Sequence, residues 1–393
     1  MKFQKIKNII LFSILTILLN GCTETYPLLT NTYEEAIVVE ATITNELKYQ
    51  EIKITKTARF EDENYLPESG AEVFITDDTG NQYKFKEDSE RYISITEFQA
   101  VPEKKYQLHI NTKDGKSFES SPESLTAVNP IQSLTTAVET KDKVKGIAIR
   151  VNSFDASAKS KYYKYEYEET YMVVAPKWSS IKATLDDKER FVFNQNSTDT
   201  RVCYAGKKNT ELLLTDTNNL TEDRVDYIVR FIDEQDYITT TRYSILVKQY
   251  IISLPSYSYN TTLKKMAGSG NILAPNQPGL LLGNLRSAKN PSDKIVGYFD
   301  VASVSSERIY FNHNDLFPNT LPPPYVTDCT QFCYGEEGDV PVPCTHSLPH
   351  DETDLAFRLI TFHSSGAFDY WVNAPCGDCT TIASNIKPAF WED

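Results

Sequence analysis

The chain has 393 residues, enough for two or three domains with substantial cores, and a single small module is excluded. Its formal net charge of −14 makes nucleic acid and anionic membrane surfaces poor partners. With 24 Tyr against 3 Trp and a composition rich in Thr, Val and Ile, the side-chain chemistry is that of strands.

In chain order, Lys2, Lys5 and Lys7 precede an apolar run at 9–19 that ends in Leu19-Asn20-Gly21-Cys22. The run is too short to span a bilayer and closes on small residues, so residues 1–21 read as a removable bacterial lipoprotein signal peptide. Cys22 is then the lipid-bearing first residue of the mature chain. Several acyl chains, at roughly 0.8 kcal/mol per buried methylene, anchor stably where one chain alone is marginal. Removing this segment, with its three lysines and no acid, takes the formal charge from −14 to −17. Residues 22–31 form a tether, and no later segment approaches the length of apolar chain a membrane helix needs.

Beyond residue 32 the apolar pattern has period two. Val73 and Ile75, the turn Asp77-Asp78-Thr79-Gly80, then Tyr83 and Phe85 predict one hairpin. Tyr106, Leu108 and Ile110, followed by Lys113-Asp114-Gly115-Lys116, predict another. Short strands at this spacing predict a β-sandwich over 32–126. Val128-Asn129-Pro130 marks a boundary, because proline restricts its predecessor and cannot donate to a ladder. A second sandwich is predicted over 127–320, with Ile147, Ile149 and Val151, then Tyr163, Tyr165, Tyr167 and Tyr171, then Tyr243, Ile245 and Val247 as inward faces. Within it Tyr259, Leu263 and Met266 fall at helical spacing, with Gly268 placed to end the helix, so 256–283 reads as a helical insertion. Alternation then returns at 296–311.

Six cysteines remain after Cys22: Cys203, Cys329, Cys333, Cys344, Cys376 and Cys379. An even number in an exported chain predicts disulfides, although six permit 15 connectivities. Residues 321–393, which hold five of them, are expected to form a stapled cap. The fold class is thus all-β: two tandem immunoglobulin-like or fibronectin-like β-sandwiches, a short helical insertion and a disulfide-stapled C-terminal cap.

The motifs Tyr162-Tyr163-Lys164-Tyr165-Glu166-Tyr167-Glu168-Glu169-Thr170-Tyr171, Cys203-Tyr204-Ala205, Tyr243-Ser244-Ile245-Leu246-Val247-Lys248-Gln249, Gly283-Asn284, Gly297-Tyr298-Phe299, Cys376-Gly377-Asp378-Cys379-Thr380 and Lys387-Pro388-Ala389-Phe390-Trp391 occur in a familiar order. Together they resemble the Bacteroidota lipoproteins grouped as domain of unknown function 4249, over nearly the whole mature chain. Tyr171 stands where that family often has tryptophan, and Ser384-Asn385 where it often has paired glycines. The resemblance implies an outer-membrane lipoprotein encoded beside TonB-dependent receptors, with a first domain of transthyretin-like or carboxypeptidase-regulatory-like kind. It implies no reaction.

No G-x-S-x-G elbow, phosphate-cradling glycine loop or H-E-x-x-H helix occurs, so no catalytic residue is nominated. Ser269, between two glycines, reads as a flexible turn. Zinc on Cys329, Cys333, Cys376 and Cys379, or on Cys344, His346, His350 and Asp351, competes with disulfides, but export favours oxidation and Pro343 and Pro349 keep the histidines off one helix face. No metal or other cofactor is therefore expected. The tyrosine stripe reads as core before it reads as a sugar- or peptide-stacking platform. Glu166, Glu168 and Glu169 read equally well as a cation site or as an exposed charged strand face. The reading is a non-enzymatic accessory or ligand-binding lipoprotein of the outer membrane, on its periplasmic or outer face, working with a TonB-dependent receptor. A stand-alone adhesin or glycan-binding lipoprotein is the alternative, and a hydrolase with an unrecognised site a distant third. Loops on rigid scaffolds hold function, and a bridged segment loses less entropy on binding than a mobile one. The contact with the receptor is accordingly placed on 321–349, with Tyr325 and Tyr334 as binding residues.

Overall fold

The hairpins read from alternation form. Val73 pairs with Phe85 and Ile75 with Tyr83, and Tyr106, Leu108 and Ile110 are fully buried. Asp77 organises the turn between the first pair of strands. Its Oδ1 accepts backbone N–H groups of Thr79 and Asn81 at 3.1 and 2.9 Å, and its Oδ2 receives Lys104 Nζ at 2.7 Å. Burial raises the pKa of this carboxyl, but Lys104, Asn81 and Thr79 together hold it well below the usual carboxylate range. The computed structural model describes residues 36–57, 66–185, 191–268, 281–334, 357–361 and 369–393.

One sheet runs through both halves of the molecule. Its centre is the strand Ile295–Asn312, 18 residues long. The first part of this strand pairs in parallel with Ile37–Thr44, from Ile37↔Ile295 to Thr44↔Ala302. The rest pairs antiparallel with Arg242–Ile251, from Ile251↔Ser303 to Arg242↔Asn312. On one side the sheet continues through Glu51–Lys56, Arg91–Ser94, Gln82–Asp88, Glu72–Asp77, Lys105–Asn111 and Ser117–Ser120 to Leu285–Ser287. It curls round the first core until its last strand returns beside the one where it began. Asn284 joins the two ends: Phe299 N–H donates to its Oδ1 at 2.8 Å, and its Nδ2 donates to Phe299 O at 2.9 Å.

Backbone crowding explains two glycines here. A Cβ on Gly283 would lie 1.6 Å from Gly297 O, and one on Gly297, whose φ is +135°, would lie 2.1 Å from Val39 O. The pairs Gly283-Asn284 and Gly297-Tyr298 therefore meet in space as one closure device.

On the other side of the long strand the sheet continues through Arg242–Ile251 and Tyr162–Val174 to the edge strand Val202–Lys208. A three-stranded sheet, Ser133–Lys141, Val144–Asp155 and Asp223–Asp233, supplies the other side of the second core. Ile147, Ile149, Val151, Tyr163, Tyr165, Tyr243, Ile245 and Val247 are all buried there, as alternation required.

The two cores do not divide the chain at 126/127. Leu285, Ile295, Phe299 and Val301 belong to the first core, although the sequence reading placed them in the second domain. Their strand serves both halves, so sequence order and core membership part company. The stretch at 126–131 is likewise no free linker. Thr126 Oγ1 donates to Ile251 O at 2.7 Å, and Asn129, nearly buried, donates to Tyr163 Oη at 3.0 Å and accepts from Gln249 Nε2 at 2.8 Å.

The helical insertion is the helix Leu254–Gly268. It crosses the outer face of the sheet near the seam between the two halves: Tyr259 packs on Tyr298, Tyr257 on Tyr162, and Ser256 Oγ donates to the buried Asp300 at 2.6 Å.

The C-terminal layer is pinned to the edge strand. Cys203 bonds Cys379, Tyr204 and Ser384 exchange backbone hydrogen bonds at 2.7 and 3.1 Å, and Trp391 sits edge-on to Tyr204 and Tyr310. Arg308 lies 3.7 Å from the centre of the Phe390 ring. A second bridge, Cys329–Cys376, fastens the segment after the triple proline to the same layer.

Candidate functional site

The strand Tyr162–Val174 presents different chemistry on its two faces. Tyr163, Tyr165 and Tyr171 enter the core, with Tyr165 stacked on Tyr227 at 5.3 Å. Tyr167 shares their face but is only half-buried. Glu169 lies between Tyr167 and Tyr171 in the same parity, so it too points inward and is fully buried. The carboxylates of Glu166 and Glu168 lie on the opposite face, where Glu166 pairs with Lys164 at 3.1 Å and accepts from Tyr250 Oη at 3.0 Å. The three acids therefore do not assemble into one cation site.

Glu169 is met by Arg230, whose Nε and one terminal nitrogen donate at 3.1 and 3.4 Å, and by Tyr243 Oη at 2.5 Å. Lys207, cross-strand from it, stands at 3.5 Å. Burial opposes the charge on Arg230, but Glu169, Tyr167 and Tyr243 outweigh it and raise its pKa. Tyr243 is pushed well above the ordinary phenol range, by burial first and by Glu169 second.

Arg230 reaches this position through a bulge. Along Asp223–Asp233, Val225 and Tyr227 point inward, and continued alternation would send Arg230 outward. The register against Val144–Asp155 slips there: Arg150 pairs with Ile228 and Ile149 with Arg230, leaving Val229 extra. The slip turns Arg230 inward, as bulges characteristically re-aim a side chain.

Arg230 then forms part of the wall of a 670 Å³ groove along the edge of the second sandwich, together with Tyr167, Asn209, Leu213, Tyr227 and Phe231. Among the described residues the strand Asp223–Asp233 pairs only with Val144–Asp155, and the residues of its other edge from Tyr227 to Phe231 line this space. Asn209 shapes the far wall by capping the gap between Val202–Lys208 and Leu213–Asp216: its Oδ1 accepts Tyr167 N–H at 2.7 Å, and its own N–H donates to Tyr167 O at 3.0 Å.

A smaller hollow of 290 Å³ lies around Leu246, Glu166, Glu168, Lys208 and Lys248. A third, of 430 Å³, lies between the helix Leu254–Gly268 and Asn284, with Tyr259 and Tyr298 in its wall.

The nominated residues fall as follows. Cys203, Cys379, Cys329 and Cys376 are joined in the two bridges above, so three of the four thiolates required for a zinc site at Cys329, Cys333, Cys376 and Cys379 are consumed by pairings. Among the described residues no group of three or more His, Cys, Asp or Glu is placed to hold a metal. Tyr325 is half-buried against the second core and donates to Pro375 O at 2.9 Å, and burial pushes its phenol up to about 12. Tyr334 and Cys333 lie in the strand Phe332–Tyr334, which pairs with Asp369–Asn373, while their side chains lie outside the described residues. Cys22, Ser269, Cys344, His346, His350 and Asp351 also lie outside them.

Arg230 and the inward role of Glu169 were missed. The parity of Glu169 with the tyrosines was a usable signal. So was the slip of alternation in Val225-Asp226-Tyr227-Ile228-Val229-Arg230-Phe231-Ile232, where inward residues pass from odd to even positions.

A double β-sandwich with a shared central strand, an edge groove and a bridged C-terminal layer defines the class of the molecule. The chain belongs to the family described as Domain of unknown function (DUF4249), whose model matches residues 23–308. No curated protein matches the chain.

Proposed function

We propose that the protein is a lipid-anchored, non-enzymatic subunit of the outer membrane that holds a ligand or a segment of a partner, the partner being a TonB-dependent receptor. The observation that carries this reading is the frame: a strand common to both sandwiches and a cross-linked C-terminal layer fix the edge groove and loop surfaces relative to one another. A rigid scaffold of this kind loses little entropy when its loops engage a partner. The buried ionisable groups of the second sandwich, Glu169, Arg230 and Tyr243, are spent on one another, with the guanidinium left facing the groove. The leader ending in Gly21-Cys22 supports anchoring. No helix among the described residues is long and apolar enough to cross a membrane.

The test is a mild-detergent pull-down of the lipidated protein, with Cys22→Ala alongside. A barrel receptor recovered with the wild type supports the accessory role. Cys22→Ala is expected to move to the soluble fraction while keeping its melting temperature, because both described cores are built from residues at and after Ile37. Membrane retention of that variant without a co-purifying barrel would sink the anchoring assignment.

A further inference from the structure

The edge groove of the second sandwich has a polarity that points to one kind of occupant. Its backbone wall is the stretch from Tyr227 to Asp233, on the edge of Asp223–Asp233 that has no strand partner among the described residues. The space beside that edge is the 670 Å³ groove, with Tyr167, Asn209 and Leu213 across from Tyr227 and Arg230. An extended chain laid there gains main-chain hydrogen bonds from the edge, the usual mode of strand addition.

Arg230 adds a second feature. A guanidinium has five N–H donors. Two of those on Arg230 go to Glu169 and one to Phe231 O at 3.3 Å, which leaves two, and the side chain is 20% exposed. Glu169, itself fully buried, locks the orientation of the fork. Arg230 and Lys207 both stand against Glu169, at 3.1 and 3.5 Å, so that carboxylate does not neutralise the fork alone. A preorganised fork of this kind suits a carboxylate taken up bidentately.

The remaining charged lining has the opposite sign. Asp142, Glu211, Asp233 and Asp236 also line the groove, against Lys141 and Lys264, and all but Asp236 are exposed. An acidic side chain is disfavoured there, and a basic one is favoured.

We propose that the groove receives the C-terminal end of an extended polypeptide: the terminal carboxylate on Arg230, the last side chain against Tyr167 and Tyr227, the main chain along the edge from Tyr227 to Asp233, and basic residues a few positions upstream beside the acidic lining residues. The inference does not depend on the lipid anchor or on a receptor, so failure of the pull-down leaves it standing and its own failure leaves the accessory reading standing.

The experiment titrates the full lipidated protein in detergent with a labelled peptide Lys-Lys-Thr-Val-Val-Phe bearing a free C-terminus, its amidated twin, and a Glu-Glu-Thr-Val-Val-Phe counterpart. The free acid is expected to bind, and the amide to bind about tenfold or more weakly, because a charge-assisted pair is lost. The acidic counterpart should also bind more weakly. Arg230→Lys, which keeps a cation beside Glu169 but loses the fork, should erase the difference between acid and amide while the melting temperature reports that the fold persists. Tyr227→Ala should weaken both peptides together. Equal binding of acid and amide, binding unchanged in Arg230→Lys, or no binding of the free acid up to about 1 mM would each overturn the proposal. Phenylacetate competing as well as the peptide would overturn the strand-addition part in favour of a small carboxylic acid.

Discussion

Asp300 shows how a single buried carboxylate sets a pH dependence. It lies on the outer face of the long strand under the helix Leu254–Gly268, with Ser256 Oγ as its hydrogen-bond donor. Burial pushes its pKa up to about 6, against the smaller lowering effects of Ser256 and Lys164, and Glu123 adds a further rise. A carboxyl whose folded pKa is raised binds its proton more tightly when folded. Its stabilising contribution is therefore complete below the unfolded value near 3.8 and is lost as pH rises through about 6. The shift corresponds to something on the order of 3 kcal/mol. Asp300→Asn, which stays neutral, is expected to be more stable than the wild type at pH 8, with the advantage closing below pH 4. Urea midpoints at the two pH values measure it, and an advantage unchanged by pH would show that ionisation of Asp300 is not the cause.

At the scale of elements, closure of the first sandwich rests on the contact between residues 283–284 and 297–299. Asn284 acts as a surrogate strand residue, taking Phe299 N–H and giving to Phe299 O, with a third bond to Glu123 Oε1 at 2.9 Å. Asn284→Ala leaves those backbone groups unpaired in a half-buried place, and a loss of about 1–3 kcal/mol is expected. Gly297→Ala should cost more, since the added Cβ meets the Val39 carbonyl and the backbone has positive φ. Denaturant melts of the two variants rank them, and a Gly297→Ala protein as stable as Asn284→Ala would contradict the close approach described above. The helix Leu254–Gly268 works at the same scale, with Tyr257 and Tyr259 reaching to either side of the seam.

For the whole molecule the decisive fact is that one strand belongs to both cores. Pulling Ile295–Asn312 out of either half strips a central neighbour from the other, so the two sandwiches are expected to unfold together. Heating or urea should give one transition by tryptophan fluorescence and by far-ultraviolet circular dichroism alike. Two separated transitions would mean that the halves are energetically independent despite the shared strand. The bridge Cys203–Cys379 spans 176 residues and fastens the C-terminal layer to the edge of the sheet. Paired Cys203→Ser and Cys379→Ser substitutions should lower the midpoint by about 2–5 kcal/mol in free energy while keeping a single transition, read in the same melts.

The amino-acid sequence by itself determined what is local. Period-two alternation identified the inward residues of Val144–Asp155, Arg242–Ile251 and Lys105–Asn111, because successive side chains of a strand must point to opposite faces whatever the strand pairs with. Helical spacing after Ser256 and the turn chemistry at Asp77 were legible for the same reason. Pairing over long distances was decided only in the tertiary structure. Alternation in 295–312 is the same whether a strand has one neighbour or two, and it carries no mark of Ile37 on one flank and Arg242 on the other. Six cysteines leave 15 connectivities open, and only the approach of the C-terminal layer to Val202–Lys208 selects Cys203–Cys379. Glu169 declares its direction by parity, yet its partner comes from a strand some sixty residues away whose bulge turns Arg230 inward. Local geometry fixes which way a side chain faces, and the free energy of the packed whole decides what it meets.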